Sequence, residues 1–291
     1  MAEKDITEKL LTDIDEVFAD IYNNLCFNGE NIIKPDDLSN ASVTTAFISN
    51  DVTRGLISDV SKIYKNSNLT LALLNIENQS TEDSDMPFRI IGYEGAKYNS
   101  QLISGSDERY VIATLVLNFN TKKRWSTPKS IKESLKNKYP IELDEYINDY
   151  KVNVIDVAFM DKEDIEKLNS DFKAVAKYYY LKRNNIEDLE ELGDCNLKYP
   201  VQTFATMKAL TGDSRFEIAY NDYVETHKDD KGVTMEKILD TIEARGEARG
   251  EAKGKELQAR ETAINLKNMN MDEETIAKAV GRDTETVKKW I

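Results

Sequence analysis

The sequence predicts a mixed α/β domain continued by a helical extension, and three observations carry that prediction. Residues 69–79 form an almost unbroken apolar run that turns polar at its end, the pattern of a buried strand. Residues 110–119 are β-branched and aromatic, the composition of a central strand. Around these strands run helical periodicities, beginning with Leu10, Ile14, Phe18, Ile21 and Leu25 at steps of three and four, and after Asp161 no strand pattern recurs.

Composition bounds the function. The chain has 291 residues, 40% of them hydrophobic, enough for one large domain with an appendage or for two domains. No apolar run approaches the eighteen residues of a membrane-spanning helix, and the acidic start Met-Ala-Glu-Lys-Asp is unlike a signal peptide, so a cytoplasmic location is expected. The two cysteines, Cys26 and Cys195, lie far apart and suggest a reducing compartment. A single histidine, His227, excludes a His-rich zinc site and disfavours Ser-His-Asp chemistry. Any metal would be held by oxygen, which favours Mg²⁺ or Mn²⁺. The net charge of −14 argues against a general nucleic-acid coat but leaves room for a local basic groove.

In chain order, residues 5–27 read as an amphipathic helix with Asp13, Glu16 and Asp20 in an acidic line beside the apolar stripe. Residues 28–55 carry Asn-Gly and Pro-Asp-Asp and read as loop with short strand at most. Residues 56–64 and 69–79 read as two strands joined by a polar turn. Pro87 suits a first helical turn, with Ser84 or Asp85 as cap, and that helix runs to about Ile103. A basic loop, Lys122-Lys123-Arg124, follows the strand at 110–119, then a short helix over 128–138 and a strand over 151–160. Residues 161–183, 185–193 and 200–226 look helical.

Residues 236–260 hold the repeat Ala-Arg-Gly-Glu, whose Gly246, Gly250 and Gly254 each cost about 1 kcal/mol against Ala, so the segment reads as a solvated helical connector. Near the end, Ile276 and Ala277 before Gly281, with Val287 and Trp290 after it, follow helix-turn-helix spacing, with Arg282 where an apolar residue is usual. The boundaries read this way are 1–160 for the sheet domain, 161–235 for the helical extension, 236–260 for the connector and 261–291 for the terminal hairpin.

The chemistry concentrates at the end of the strand over 69–79. Alternation places Asn75, Glu77 and Gln79 on one face and Ile76 and Asn78 on the other. An acid ending an otherwise apolar strand needs a partner or a metal. Eighteen residues earlier stands Asp59, and if the two segments pair, Asp59 and Glu77 converge.

The words Ile76-Glu77-Asn78-Gln79-Ser80, Met86-Pro87, and Tyr93-Glu94-Gly95-Ala96-Lys97-Tyr98-Asn99-Ser100-Gln101, followed by Thr114-Leu115-Val116-Leu117, Trp125 and Pro128, resemble the Rpn-type recombination-promoting nuclease and putative transposase family of the PD-(D/E)XK nuclease superfamily. The resemblance runs from about Phe18 to about Lys182, and its strength lies in the order of the motifs. It implies a restriction-endonuclease-like mixed sheet flanked by helices. It implies Asp59 as the first acid, Glu77 as the second, and Gln79 at a position that is Lys in most of the superfamily. An acid from the first helix, for which Asp20 is the choice, would complete a metal site with Asp59 and Glu77. Ser58 precedes Asp59 where the family pattern differs, and a competing alignment would put Gly55 at the acid position.

The implied activity is Mg²⁺-dependent hydrolysis of DNA phosphodiesters. Tyr98 and Gln101 are candidates for the DNA side of the site, and Lys122, Lys123 and Arg124 for phosphate contact, although a charge run is ordinarily solvent-facing. The rival is a nuclease fold without catalysis, acting as a DNA- or protein-binding module, which −14 and Gln79 both favour. The terminal helices could read DNA or join copies of the chain. Their acidic content, Asp272, Glu273, Glu274, Asp283 and Glu285, favours packing or self-association.

Overall fold

The computed structural model describes residues 9–49, 52–66, 69–104, 107–186, 188–227 and 232–291. The strands of its first part are β1 (Leu38–Asn40), β2 (Thr44–Ser49), β3 (Val52–Ile57), β4 (Val60–Asn66), β5 (Leu69–Gln79), β6 (Val111–Asn118) and β7 (Asn153–Asp156). Five of them make one mixed sheet in the order β1-β4-β5-β6-β7. β1, β4 and β5 run antiparallel, and β5, β6 and β7 run parallel. The parallel β5–β6 step needs a crossover, which α2 (Met86–Ile103) supplies. α1 (Asp15–Leu25) precedes the sheet.

Two helices cover the two faces around β5. Val17, Phe18 and Ile21 of α1 are fully buried. On the same side, the Asn78 amide donates to Thr12, and buried Lys62 reaches the Asp13 carbonyl and the carboxylates of Asp13 and Asp15. The other face packs Met86, Ile90 and Tyr93 of α2 against Val116, with Trp125 and Val152. Tyr22 passes from α1 to the sheet and donates to the Asn75 carbonyl at 2.7 Å.

Several local expectations change. Residues 28–55 are more ordered than their turn-rich composition indicates: they form β1 and the β2–β3 hairpin, whose ladder runs from Thr44 opposite Ile57 to Ser49 opposite Val52. The segment 56–64 is not one strand. It breaks between β3 and β4, where the Ser58 amide bonds the Val43 carbonyl, so Asp59 stands in a bend. Asp85 occupies the cap position of α2 without a side-chain cap bond, and Asp83 accepts from the Asp85 amide instead, at 2.9 Å.

α3 (Ile131–Ser134) is capped by the Ser130 side chain. α4 (Lys162–Lys167), α5 (Phe172–Arg183), α6 (Pro200–Thr211) and α7 (Arg215–Thr226) follow, and the described residues of 185–193 contain the short turn Glu190–Leu192 instead of a helix. Strands do not end at Asp161 as expected: β8 (Asn196–Leu197) and β9 (Val233–Thr234) form a small antiparallel pair. Phe119 joins the sheet to α5 through Phe172 and Tyr179, with ring centroids at 6.5 and 5.1 Å.

The chain divides into two compact units, 1–238 and 239–291. α8 (Met235–Asn268) carries the glycine repeat without interruption, and residues 246–258 are all exposed. In the second unit, α9 (Glu273–Val280) and α10 (Thr284–Lys288) are capped by Asp272 and Asp283, which accept from the amides of Thr275 and Thr286. Gly281 turns the chain between them with φ +64°, a left-handed conformation that suits glycine. Ala263, Ile276, Ala277 and Val287 form the small core beneath.

Candidate active site

Register decides which acids meet. Val60 lies opposite Ile76 and Ser61 opposite Asn75, so the next position outward sets Asp59 across from Glu77. The two are joined reciprocally. The Asp59 amide donates to Glu77 Oε1 at 3.1 Å, and the Asn78 amide donates to Asp59 Oδ2 at 2.8 Å. Asp59 thereby continues the ladder with its side chain where the backbone of β4 has not yet begun.

By alternation, Asn75, Glu77, Gln79, Thr114, Val116 and Asn118 all face α2. Gln79 is half-buried at the strand end. Asn118 donates to Asp156 at 2.7 Å, and Asp156 also accepts from the Trp125 amide at 2.8 Å.

Glu77 is fully buried, and its Oε2 has no hydrogen-bond partner. Burial, reinforced by the charge of Asp59 and opposed by Arg89, pushes its pKa from 4.5 up to about 8. The Arg89 guanidinium lies 3.9 Å from that orphan oxygen, within ion-pair range and beyond a hydrogen bond. The Tyr93 hydroxyl, buried one helical turn further on, interacts with Glu77 but falls short of a well-formed hydrogen bond. Its ionisation is pushed up by burial and by the negative charge of Glu77. On the other acid, Lys9 pairs with Asp59 at 2.9 Å.

Below the acids lies a buried polar network. Lys97 of α2 donates to Ser61 at 2.8 Å and to Asn75 Oδ1 at 3.2 Å. Ser61 donates to the same Asn75 oxygen at 2.6 Å, and Asn75 donates to Thr114 at 3.1 Å. Thr114 and Tyr150 both donate to Glu94. Burial lowers Lys97 from 10.5 to about 8, although Glu77 and Glu94 pull the other way. Burial raises Glu94, against its two hydrogen bonds.

The other candidates have different surroundings. Asp20 belongs to the helix on the opposite face, where its carboxylate accepts from the Asn169 amide and from the Ser170 amide and hydroxyl, at 2.7–3.1 Å. Among the described residues, no three Asp, Glu, His or Cys side chains gather as a metal-binding group, so Asp20 does not complete a triad with Asp59 and Glu77. Gln101 is buried and grips both amide groups of Tyr110. The Tyr98 hydroxyl accepts from the Ile112 amide at 2.9 Å. Both hold the start of β6, whereas Glu77 lies toward the end of the parallel β5, so they sit away from the acid pair. Lys123 pairs with Glu82, and Arg124 bonds the Phe159 carbonyl and covers its ring at 5.1 Å. Lys122 is exposed.

Arg89 and Tyr93 are the site residues that the sequence reading missed. The signal was available: they stand four apart on a helix whose first turn follows the Glu77 strand by a short loop, so both can face it.

A mixed α/β fold with a buried carboxylate at the end of a central strand, joined to a half-buried second one and overlaid by a helix that brings an arginine, is the class of protein these features define. Residues 9–197 match the family described as "Putative transposase, YhgA-like", well over half of the chain, and the chain belongs to that family. No curated protein and no solved structure matches it. No helix among the described residues is long and apolar enough to cross a membrane.

Proposed function

We propose that the chain is a metal-dependent endonuclease of the transposase-associated, recombination-promoting kind, built on a restriction-endonuclease-like core and acting on DNA. The observation that carries this reading is the orphaned, fully buried Oε2 of Glu77 beside Asp59. A carboxylate kept dry and next to a second acid is costly to ionise unless a cation neutralises it. The donors on offer are all oxygen, which fits Mg²⁺ or Mn²⁺.

Asp59 and Glu77 would hold the ion, which when bound supplies charge neutralisation at phosphorus and activation of a water. Gln79, on the same face at the strand end, orients water through its amide and adds no charge. Asn75, Ser61 and Lys97 stiffen the strand pair beneath the acids. Family membership supports action on nucleic acid.

One observation favours a second reading, a nuclease fold that binds DNA or protein without cutting. Lys9 already neutralises Asp59 at 2.9 Å, so the pair can persist without a metal. Supercoiled-plasmid nicking with Mg²⁺, Mn²⁺ or chelator separates the two. The nuclease reading expects nicking that needs the divalent ion and is abolished in Glu77→Gln and Asp59→Asn. Nicking that survives Glu77→Gln refutes it, and absence of nicking by the wild-type protein with either ion supports the binding module.

A further inference from the structure

We propose that Arg89 is the seat for a nucleic-acid phosphate at the Asp59–Glu77 pair; the inference rests on the nuclease reading. The electrostatics pose the question. A phosphodiester approaching two carboxylates meets repulsion, and Gln79 is neutral, so another group must supply positive charge facing the anion.

Among the described cations around the pair, Lys97 and Lys9 have no face left for an incoming anion. Lys97 is buried and turned to Ser61 and Asn75. Lys9 is spent on Asp59. Arg89, also ion-paired to Asp83, lies beside Glu77 with a side chain that is 39% exposed. Asp83 takes one of its N–H groups, from Nη1 at 2.8 Å, and orients the fork. Nη2 stands 3.9 Å from Glu77 Oε2, too far to be consumed by it. A guanidinium has five donors in a plane suited to a phosphate, so donors remain.

One further feature points to an anion at this spot. The buried Tyr93 hydroxyl, one turn further along the same face, interacts with Glu77 without a well-formed hydrogen bond and can donate to an incoming oxygen.

The test combines binding and cutting. Anisotropy of a fluorescein-labelled duplex oligonucleotide, titrated over a salt series, is measured for wild type, Arg89→Gln, Arg89→Lys and Lys208→Gln, the last removing one charge elsewhere. Arg89→Gln should weaken binding by roughly tenfold and lower the salt slope by about one, as loss of one phosphate contact does. Its nicking should fall by about 100-fold, mostly in kcat. Arg89→Lys keeps the charge but loses the fork and should fall between, which also reads the site if Arg89→Gln fails to fold by circular dichroism.

If Arg89→Gln binds and cuts like Lys208→Gln while Glu77→Gln abolishes nicking, the phosphate seat is overturned and the nuclease reading stands. If no Glu77-dependent nicking exists but Arg89→Gln loses affinity and salt slope, the seat stands and the nuclease reading falls.

Discussion

Ionising Glu77 in the metal-free protein should cost stability, and the pH dependence of unfolding measures that cost. Its pKa is raised from 4.5 to about 8, so between these values the folded state holds a proton that the unfolded chain has lost. Stability from this group is therefore complete below pH 4.5, declines as pH rises, and is gone above about 8. At 1.36 kcal/mol per pH unit the change is at most ~5 kcal/mol, and sharing of charge with Asp59 makes that an upper bound. For a unit of this size it corresponds to about 10–20 °C in Tm.

The assay is thermal unfolding in chelator from pH 5 to 8, comparing wild type with Glu77→Gln. The groups facing Glu77 are Asp59, Arg89, Tyr93 and Lys97, and Lys97 near 8 contributes with the opposite sign only above that pH, which fixes the upper limit of the scan. Wild type should lose Tm across the window relative to Glu77→Gln. Added Mg²⁺ should return stability to wild type most strongly at pH 8, by ~2.7 kcal/mol at a hundredfold excess over Kd, and give Glu77→Gln little. Parallel pH profiles for the two proteins would refute the account of Glu77 as a strained, buried carboxylate.

Three further outcomes test the surrounding architecture. Asp20→Ala should destabilise by about 1–3 kcal/mol in urea unfolding, because it strips hydrogen bonds from the Asn169–Ser170 backbone, while leaving divalent-ion affinity by calorimetry unchanged. Tyr22→Phe should cost about 1 kcal/mol in the same unfolding assay, since it removes a buried donor to the Asn75 carbonyl at 2.7 Å. Gly250→Ala should slow amide exchange across the exposed part of α8 by about fivefold, because nothing lies within 4 Å of the added Cβ and the gain in helix propensity is ~1 kcal/mol.

Some of this molecule could be read from neighbouring residues alone. The bounds of β5, Leu69–Gln79, and of α2, Met86–Ile103, follow from an unbroken apolar run and from Pro87 opening a periodic stretch. Glu77 was visible as an acid at the end of an apolar strand. The Asp272 and Asp283 caps and the Gly281 turn are equally local. The β2–β3 hairpin was not legible, because turn-rich composition hid a ladder that depends on pairing.

What required the fold was every meeting between distant residues. The antiparallel register of β4 on β5 places Asp59 across from Glu77, although Asp59 itself lies in no strand. The crossover brings Arg89 and Tyr93 over that pair and sends Tyr98 and Gln101 to the start of β6. Asp20 faces the other side of the sheet and serves the Asn169–Ser170 backbone. Side-chain period is written in adjacent residues, whereas register and helix direction are chosen by the whole sheet as it buries its two faces. The sequence could therefore name the acid, and only the tertiary structure could decide its neighbours.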